Sequence, residues 1–233
     1  MAAALEEPTM RTTFGLCFLA LALTATTAHA QGVFLEKGQP GVGVALGGGV
    51  IGNGWNASLV PSLTYRGVFD VGLEMTGFGF TSGDTNHLGA IGLMPFTNVY
   101  FTRSEDGPLP ISISGTLGVQ KRFFLGNGNA PNPDGWGLLA GGSAFRRIAF
   151  SDTFAGIPEL FVAYDLQVVT WHSGVIDSKA GASPGQKTDP QHKARVLIRA
   201  NMSFRGEKTL FTLTPYLGYQ AGLAVGINVG AIF

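Results

Sequence analysis

The chain has 233 residues with 15 Lys+Arg against 15 Asp+Glu, so its formal charge is zero and it carries no nucleic-acid footprint. Only 13% of residues are charged, which is about half the usual share for a soluble domain, and Gly is abundant at 35. A single cysteine excludes a disulfide framework and a cysteine metal cluster.

In chain order, Met10–Ala30 reads MRTTFGLCFLALALTATTAHA: a basic residue, an apolar run, then Ala-His-Ala before Gln31. This is the three-part pattern of a secretory signal peptide. The run is too short and too rich in Ala and Thr at its end to serve as a membrane anchor. Met1–Thr9 precedes the basic residue, which makes Met10 an alternative start. Cys17 lies inside the segment to be removed, and Leu16 beside it argues against a lipid-anchoring site. Residues 1–30 are therefore read as signal, 31–40 as a periplasmic lead-in and 41–233 as one domain. After the signal no stretch approaches the roughly 20 apolar residues of a membrane helix. An exported chain this poor in charge has one membrane architecture open to it, a closed barrel.

Strict alternation of apolar with small or polar residues runs through the rest, as in strands with two unlike faces. Val42, Val44 and Leu46 open it. Leu59, Pro61, Leu63 and Tyr65 oppose Ser58, Ser62 and Thr64, and Arg66-Gly67-Val68 makes a tight turn. Val71 and Leu73 follow, opposed by Asp70, Gly72 and Glu74. The stretch 88–101 is less regular; Ile91, Leu93, Pro95, Thr97, Val99 and Phe101 form its outer row, with a bulge expected. Ile111, Ile113, Leu117 and Val119 alternate next, whereas 137–149 is weakly patterned, with Leu139, Gly141, Ser143 and Phe145 on one side. Leu160, Val162, Tyr164, Leu166 and Val168 oppose Glu159, Asp165 and Gln167; Val196, Ile198, Met202 and Phe204 oppose Arg195, Arg199 and Asn201. Phe211, Leu213, Pro215, Leu217 and Tyr219 form the ninth row, and Leu223, Val225, Ile227, Val229, Ala231 and Phe233 the tenth.

These rows predict an all-β chain: a single antiparallel up-and-down transmembrane β-barrel of about ten strands, with eight or twelve as alternatives. Compact connections (66–68, 102–109, 151–156, 205–209) alternate with longer ones, of which 172–193 is the longest. Aromatic residues gather at both strand ends. Tyr65, Phe69, Tyr100, Phe101, Phe150, Phe154, Phe204, Phe211 and Phe233 lie near the compact turns; Trp55, Phe80, Phe124, Trp136, Trp171 and Tyr219 lie near the loops. Two belts suit two membrane–water interfaces. A secreted soluble sandwich or lipocalin-like barrel is the competing fold, but its exterior needs Lys and Glu where this chain has Gly, Ser, Thr and Asn.

The last row, with Val225, Ile227, Val229, Ala231 and a terminal Phe233, resembles the C-terminal signature of Gram-negative outer-membrane β-barrel proteins. That resemblance implies location in the cell outer membrane, contact with its lipid, and recognition of Phe233, Ala231 and Val229 by the barrel assembly machinery. It does not specify an activity, because one barrel architecture hosts many.

Asp70, Glu74, Glu159, Asp165, Arg195 and Arg199 fall on inward faces. They read as a lumen network of ion pairs, since charges out of water must be paired or wet. The expected register pairs Asp165 with Arg199 and brings Glu159 near Arg205. A narrow small-solute conduit or a structural and surface-interaction barrel, both non-enzymatic, is the expected function. The alternative is a hydrolase with its site at the extracellular rim. His172, next to Ser173, resembles a lipid A deacylase only by that adjacency, and neighbouring strand residues point to opposite faces. Asp84 and His87 on one loop, facing His172, Asp177, Asp189 and His192 on another, resemble omptin-type proteases in placement but lack the Asp-x-Asp and Asp-x-His spacings. The histidines have no metal-ligand spacing, so no metal is assigned. No cofactor is assigned either: Gly47-Gly48-Gly49 is not followed by the Lys-Ser/Thr of a phosphate loop.

Overall fold

The computed structural model describes residues 31–52, 54–80, 87–104, 109–126, 134–172, 186–220 and 222–233. The signal segment, Asp84 and Asp177 lie outside them. After a short 3-10 turn, η1 (Gln31–Val33), the strands are β1 (Gly41–Ile51), β2 (Gly54–Tyr65), β3 (Phe69–Phe80), β4 (His87–Thr102), β5 (Ser112–Gly126), β6 (Asp134–Phe145), the two-residue β7 (Ile148–Ala149), β8 (Phe154–His172), β9 (Gln186–Arg205), β10 (Leu210–Gln220) and β11 (Leu223–Ile232). Sequential strands pair antiparallel; β6 pairs with β8 across the small β7, and β1 pairs with β11. Ten long strands therefore close into one antiparallel barrel, the architecture that the C-terminal signature implies.

The two faces divide as the alternation requires. Ile198 is 63% exposed while its neighbour Leu197 is 0% exposed, and the pattern repeats on each long strand. Large apolar side chains cover the outside, from Val42 to Phe233, and Asn, Ser, Thr and charged residues fill the inside. This inverts the burial order of a soluble domain. Irregular β4 holds the expected outer row, with register shifts between His87 and Gly89 and between Tyr100 and Thr102. On β6 the row Leu139, Ser143 and Phe145 faces inward.

Two sequence expectations are corrected. Tyr100 does not join the turn-end aromatics: it continues the inward row of β4, and its ring is buried, edge-on to Phe145 with centroids 6.0 Å apart. The outer belt there is instead a stack of Phe150 on Phe154 (5.3 Å) and Phe154 on Phe204 (5.0 Å). The β8–β9 register also differs by six residues, with Glu159 opposite Arg199 and Asp165 opposite Lys193. The reason is that β9 begins at Gln186, so part of the stretch read as loop is strand. Its sequence, QKTDPQHK, is polar on both faces and carries no alternation to read. Because β10 ends at Gln220 opposite Arg195, residues 186–194 pair with β8 alone among the described residues, and Pro190 sits in that one-sided stretch, a placement suited to a free edge.

The β2–β3 turn shows how locally this scaffold is specified. Arg66 and Gly67 both have positive φ (49° and 59°), and Val68 N–H donates to Tyr65 O at 2.9 Å. This is the type I′ pattern, whose twist matches a hairpin. A Cβ on Gly67 would lie 2.6 Å from the Glu36 carbonyl oxygen. Gly67→Ala is expected to cost about 1–2 kcal/mol through left-handed strain alone, read as a lower urea midpoint of the folded barrel in detergent; an unchanged midpoint contradicts the account.

Candidate functional site

The lumen is layered, and β8 carries one inward residue for each level: Ile157, Glu159, Phe161, Asp165 and Gln167 in ascending order from the turn end. At the turn end the chain corks itself. Gln31, Gly32, Val33, Phe34 and Leu35 are buried, and Val33, Phe34 and Leu35 pack with Tyr100 of β4, Phe145 of β6, Ile157 of β8 and Ile232 of β11. These partners come from around the barrel, so the segment fills the cross-section rather than lining one wall. Glycines make the room: a Cβ on Gly41 would lie 2.8 Å from Leu35, and one on Gly43 2.5 Å from Gln31.

A buried segment outside the sheet must still satisfy its backbone. Three inward charges do this. The Asp70 carboxylate accepts from Gly32 N–H (3.1 Å) and from the Tyr100 hydroxyl (2.6 Å). Arg103 donates to the carbonyls of Gly32 (2.9 Å), Leu35 (3.3 Å) and Gly67 (2.5 Å), with its guanidinium 4.0 Å from the Tyr100 ring centroid. Arg147 donates to Phe34 O at 2.7 Å and pairs with Glu36 at 3.5 Å; Arg205 approaches the same carboxylate at 3.8 Å.

Above the cork lies a polar layer. Glu159 pairs with Arg199 at 3.0 Å, accepts from Asn201 at 2.8 Å and bonds Ser143. Thr214 donates to Asn201 at 2.8 Å, and the Arg199 guanidinium stands 4.3 Å from the Phe161 ring centroid. An apolar layer follows, made of Met94, Leu139, Phe161, Leu197 and Tyr216 from five strands. Nearest the loops are Arg195, paired with Asp165, and Gln167, Arg122 and Lys193 around it.

Of the residues singled out by sequence, Asp70 holds the cork, Glu159 with Arg199 and Asp165 with Arg195 form the lumen pairs, and Glu74 is buried in the field of Arg195, Arg199 and Arg122. His87 begins β4, and His172 ends β8 opposite Gln186. His192 faces outward beside Tyr164. Val229, Ala231 and Phe233 lie along the outer row, Phe233 at 69% exposed. Among the described residues no group of three His, Cys, Asp or Glu side chains could hold a metal. The sequence reading missed Arg103 and Arg147, because charges in turns are routinely solvated. It also missed Arg122, although alternation with Lys121 and Phe123 placed it inside.

No protein-family model and no curated protein matches the chain. Among solved structures it is similar to Ail, the attachment invasion locus protein of Yersinia pestis, at 10% identity and a TM-score of 0.38 over 84% of this chain and 97% of that one. It is also similar to the β domain of the Bordetella autotransporter BrkA, at 9% identity and a TM-score of 0.43 over 85% and 99%.

Two outcomes are expected. Arg103→Met strips its donors from three carbonyls, of which only that of Gly32 keeps another, the Leu35 N–H, so amide-exchange protection of Gly32–Leu35 falls by about 30-fold or more (~2 kcal/mol) while that of the β8–β9 ladder holds. Equal loss at both places would mean that Arg103 supports the whole barrel and not the cork. Glu159→Ala or Arg199→Ala alone costs about 3–5 kcal/mol, because each strands a buried charge, and the double variant costs much less than the sum. Strict additivity in that cycle contradicts a coupled pair.

Proposed function

We propose that this protein is an integral outer-membrane β-barrel, closed at its periplasmic end, that serves as a structural and surface-interaction element rather than a conduit. The observation that carries the reading is the cork. A segment contiguous with β1 fills the turn end and is held through its own backbone by Asp70, Arg103 and Arg147. A path for solutes would have to break those bonds.

The membrane assignment rests on the inverted faces. Rows such as Val196, Ile198 and Phe204 on β9 or Leu223, Val225, Ile227 and Val229 on β11 stand exposed on a closed ring of strands, which water disfavours and lipid tails accept. Exposed Tyr65, Phe101, Phe211 and Phe233 near the turn end, and Trp55, Trp136 and Tyr219 near the loop end, suit the two interfaces. The secretory signal and the Phe233 signature support the same location. The β8–β9 hairpin, whose residues 186–194 extend past β10, is the element available to an external partner.

In planar bilayers the purified protein is expected to give no large stable conductance steps, and a variant lacking residues 31–38 to give frequent ones. Large steady steps from the intact protein would overturn the closed-end reading. Ile198→Arg, in the middle of the β9 outer row, is expected to cost about 2–4 kcal/mol in lipid vesicles by urea unfolding; a neutral result would count against lipid around that face.

A further inference from the structure

On the loop side of the apolar layer, three cations converge on one carboxylate. Arg122 Nη1 and Lys193 Nζ both donate to the same neutral atom, Gln167 Oε1, at 2.8 and 3.2 Å. Gln167 Nε2 donates to Asp165 Oδ2 at 2.8 Å, and Arg195 Nη2 donates to that same oxygen. The cations act against one another: Arg122 and Lys193 are each in the repulsive field of Arg195 and of each other. Glu74, across the lumen, lies in the field of Arg122 and Arg195, yet its Oε2 has no hydrogen-bond partner among the described residues. Arg122 Nε and Arg195 Nε have none either.

Such an arrangement differs from the layer below, where Glu159 and Arg199 neutralise each other directly. Here the nearest acceptor for two cations is a single amide oxygen, which supplies a dipole but no charge. Among the described side chains, Arg122, Lys193 and Arg195 against Asp165 leave two net positive charges, and counting Glu74 leaves one. Like charges gathered out of bulk water are stable when a counter-charge joins them. Arg forks and a Lys ammonium present the donors that carboxylate and phosphate oxygens accept. Exposure rises toward the loops: Arg195 is buried, whereas Arg122 and Lys193 are half-buried.

We propose that Arg122, Lys193 and Arg195 form a binding site for a small oxyanion of the phosphate or carboxylate class, reached from the loop end. The proposal rests on the closed-end reading only for its route: an anion enters and leaves by the same mouth. Asp165 and Gln167 hold the cations apart and orient them, and Glu74 weakens binding by its charge, which tunes the site toward reversible uptake.

The test is calorimetric titration of inorganic phosphate into the intact folded barrel in detergent, at constant ionic strength set with chloride. Saturable uptake at one site is expected. Arg122→Gln and Lys193→Gln should each weaken it about tenfold or more, with retained β-sheet circular dichroism as the check on folding; should one variant fail to fold, the other decides. Lys208→Gln, in the β9–β10 turn at the far end, should bind as the unaltered protein does. A parallel acetate titration assigns the class, and saturable uptake of either anion that needs Arg122 and Lys193 sustains the site. Absence of saturation with both anions, or equal affinity in the unaltered protein and both lumen variants, overturns it. Bilayer recordings on the same samples separate the two claims. A closed barrel that takes up no oxyanion sinks the site alone, whereas an open one sinks the closed-end reading whatever the anions do.

Discussion

Everything in this molecule follows from closing the ladder. β1 meets β11 in continuous antiparallel register, and Val42 and Phe233 exchange both backbone hydrogen bonds, at 3.2 and 2.8 Å. Without that rung two strands would carry unpaired N–H and C=O groups, which neither lipid nor a packed interior tolerates. With it, every residue on a long strand belongs to one of two sides. The outside can then be uniformly apolar, and the inside becomes a bounded volume that the chain itself must fill.

The filling obeys a second rule, that polar groups taken out of water need partners. The polar layer meets it with matched ions, Glu159 with Arg199, backed by Asn201, Thr214 and Ser143. The cork meets it by placing side-chain charges on backbone groups, so Arg103 and Arg147 act as surrogate strand neighbours for a segment that has none. Steric room is set by small residues. Tyr216 occupies space that a Cβ would need at both Gly49 and Gly226, each 2.3 Å from its hydroxyl oxygen. An aromatic ring lying on glycines supplies contact area where those strands present none.

Most of the fold was legible in the sequence because alternation with period two is a direct image of a wall between two media. The outer row of β4, the least regular, still followed Ile91 to Phe101 through its bulges. The sequence reading ran out where that image fades. The start of β9, QKTDPQHK, is polar on both faces, so its strand is not visible in the pattern, and the register that sets the partner of Asp165 is not either. Tyr100 resembled a belt residue in composition, but it continues the inward parity of Ala90 to Asn98, the face opposite Phe101. Of the site, the inward charges on strands could be read, but their pairing needed the register. Arg103 and Arg147 could not be read at all, since a turn arginine that reaches inward is indistinguishable in sequence from one in solvent.

The cork bears on how the ring comes to be complete. Val33, Phe34 and Leu35 belong to the same buried cluster as Ile232, the last residue of β11, while the chain that bears them leads directly into β1. These residues thus sit astride the seam between the two terminal strands and clasp it from within. Seating the clasp requires the tenth long strand to be docked, and once seated it opposes any reopening of that junction. The element that stops the bore is therefore also a latch on the barrel's own circumference.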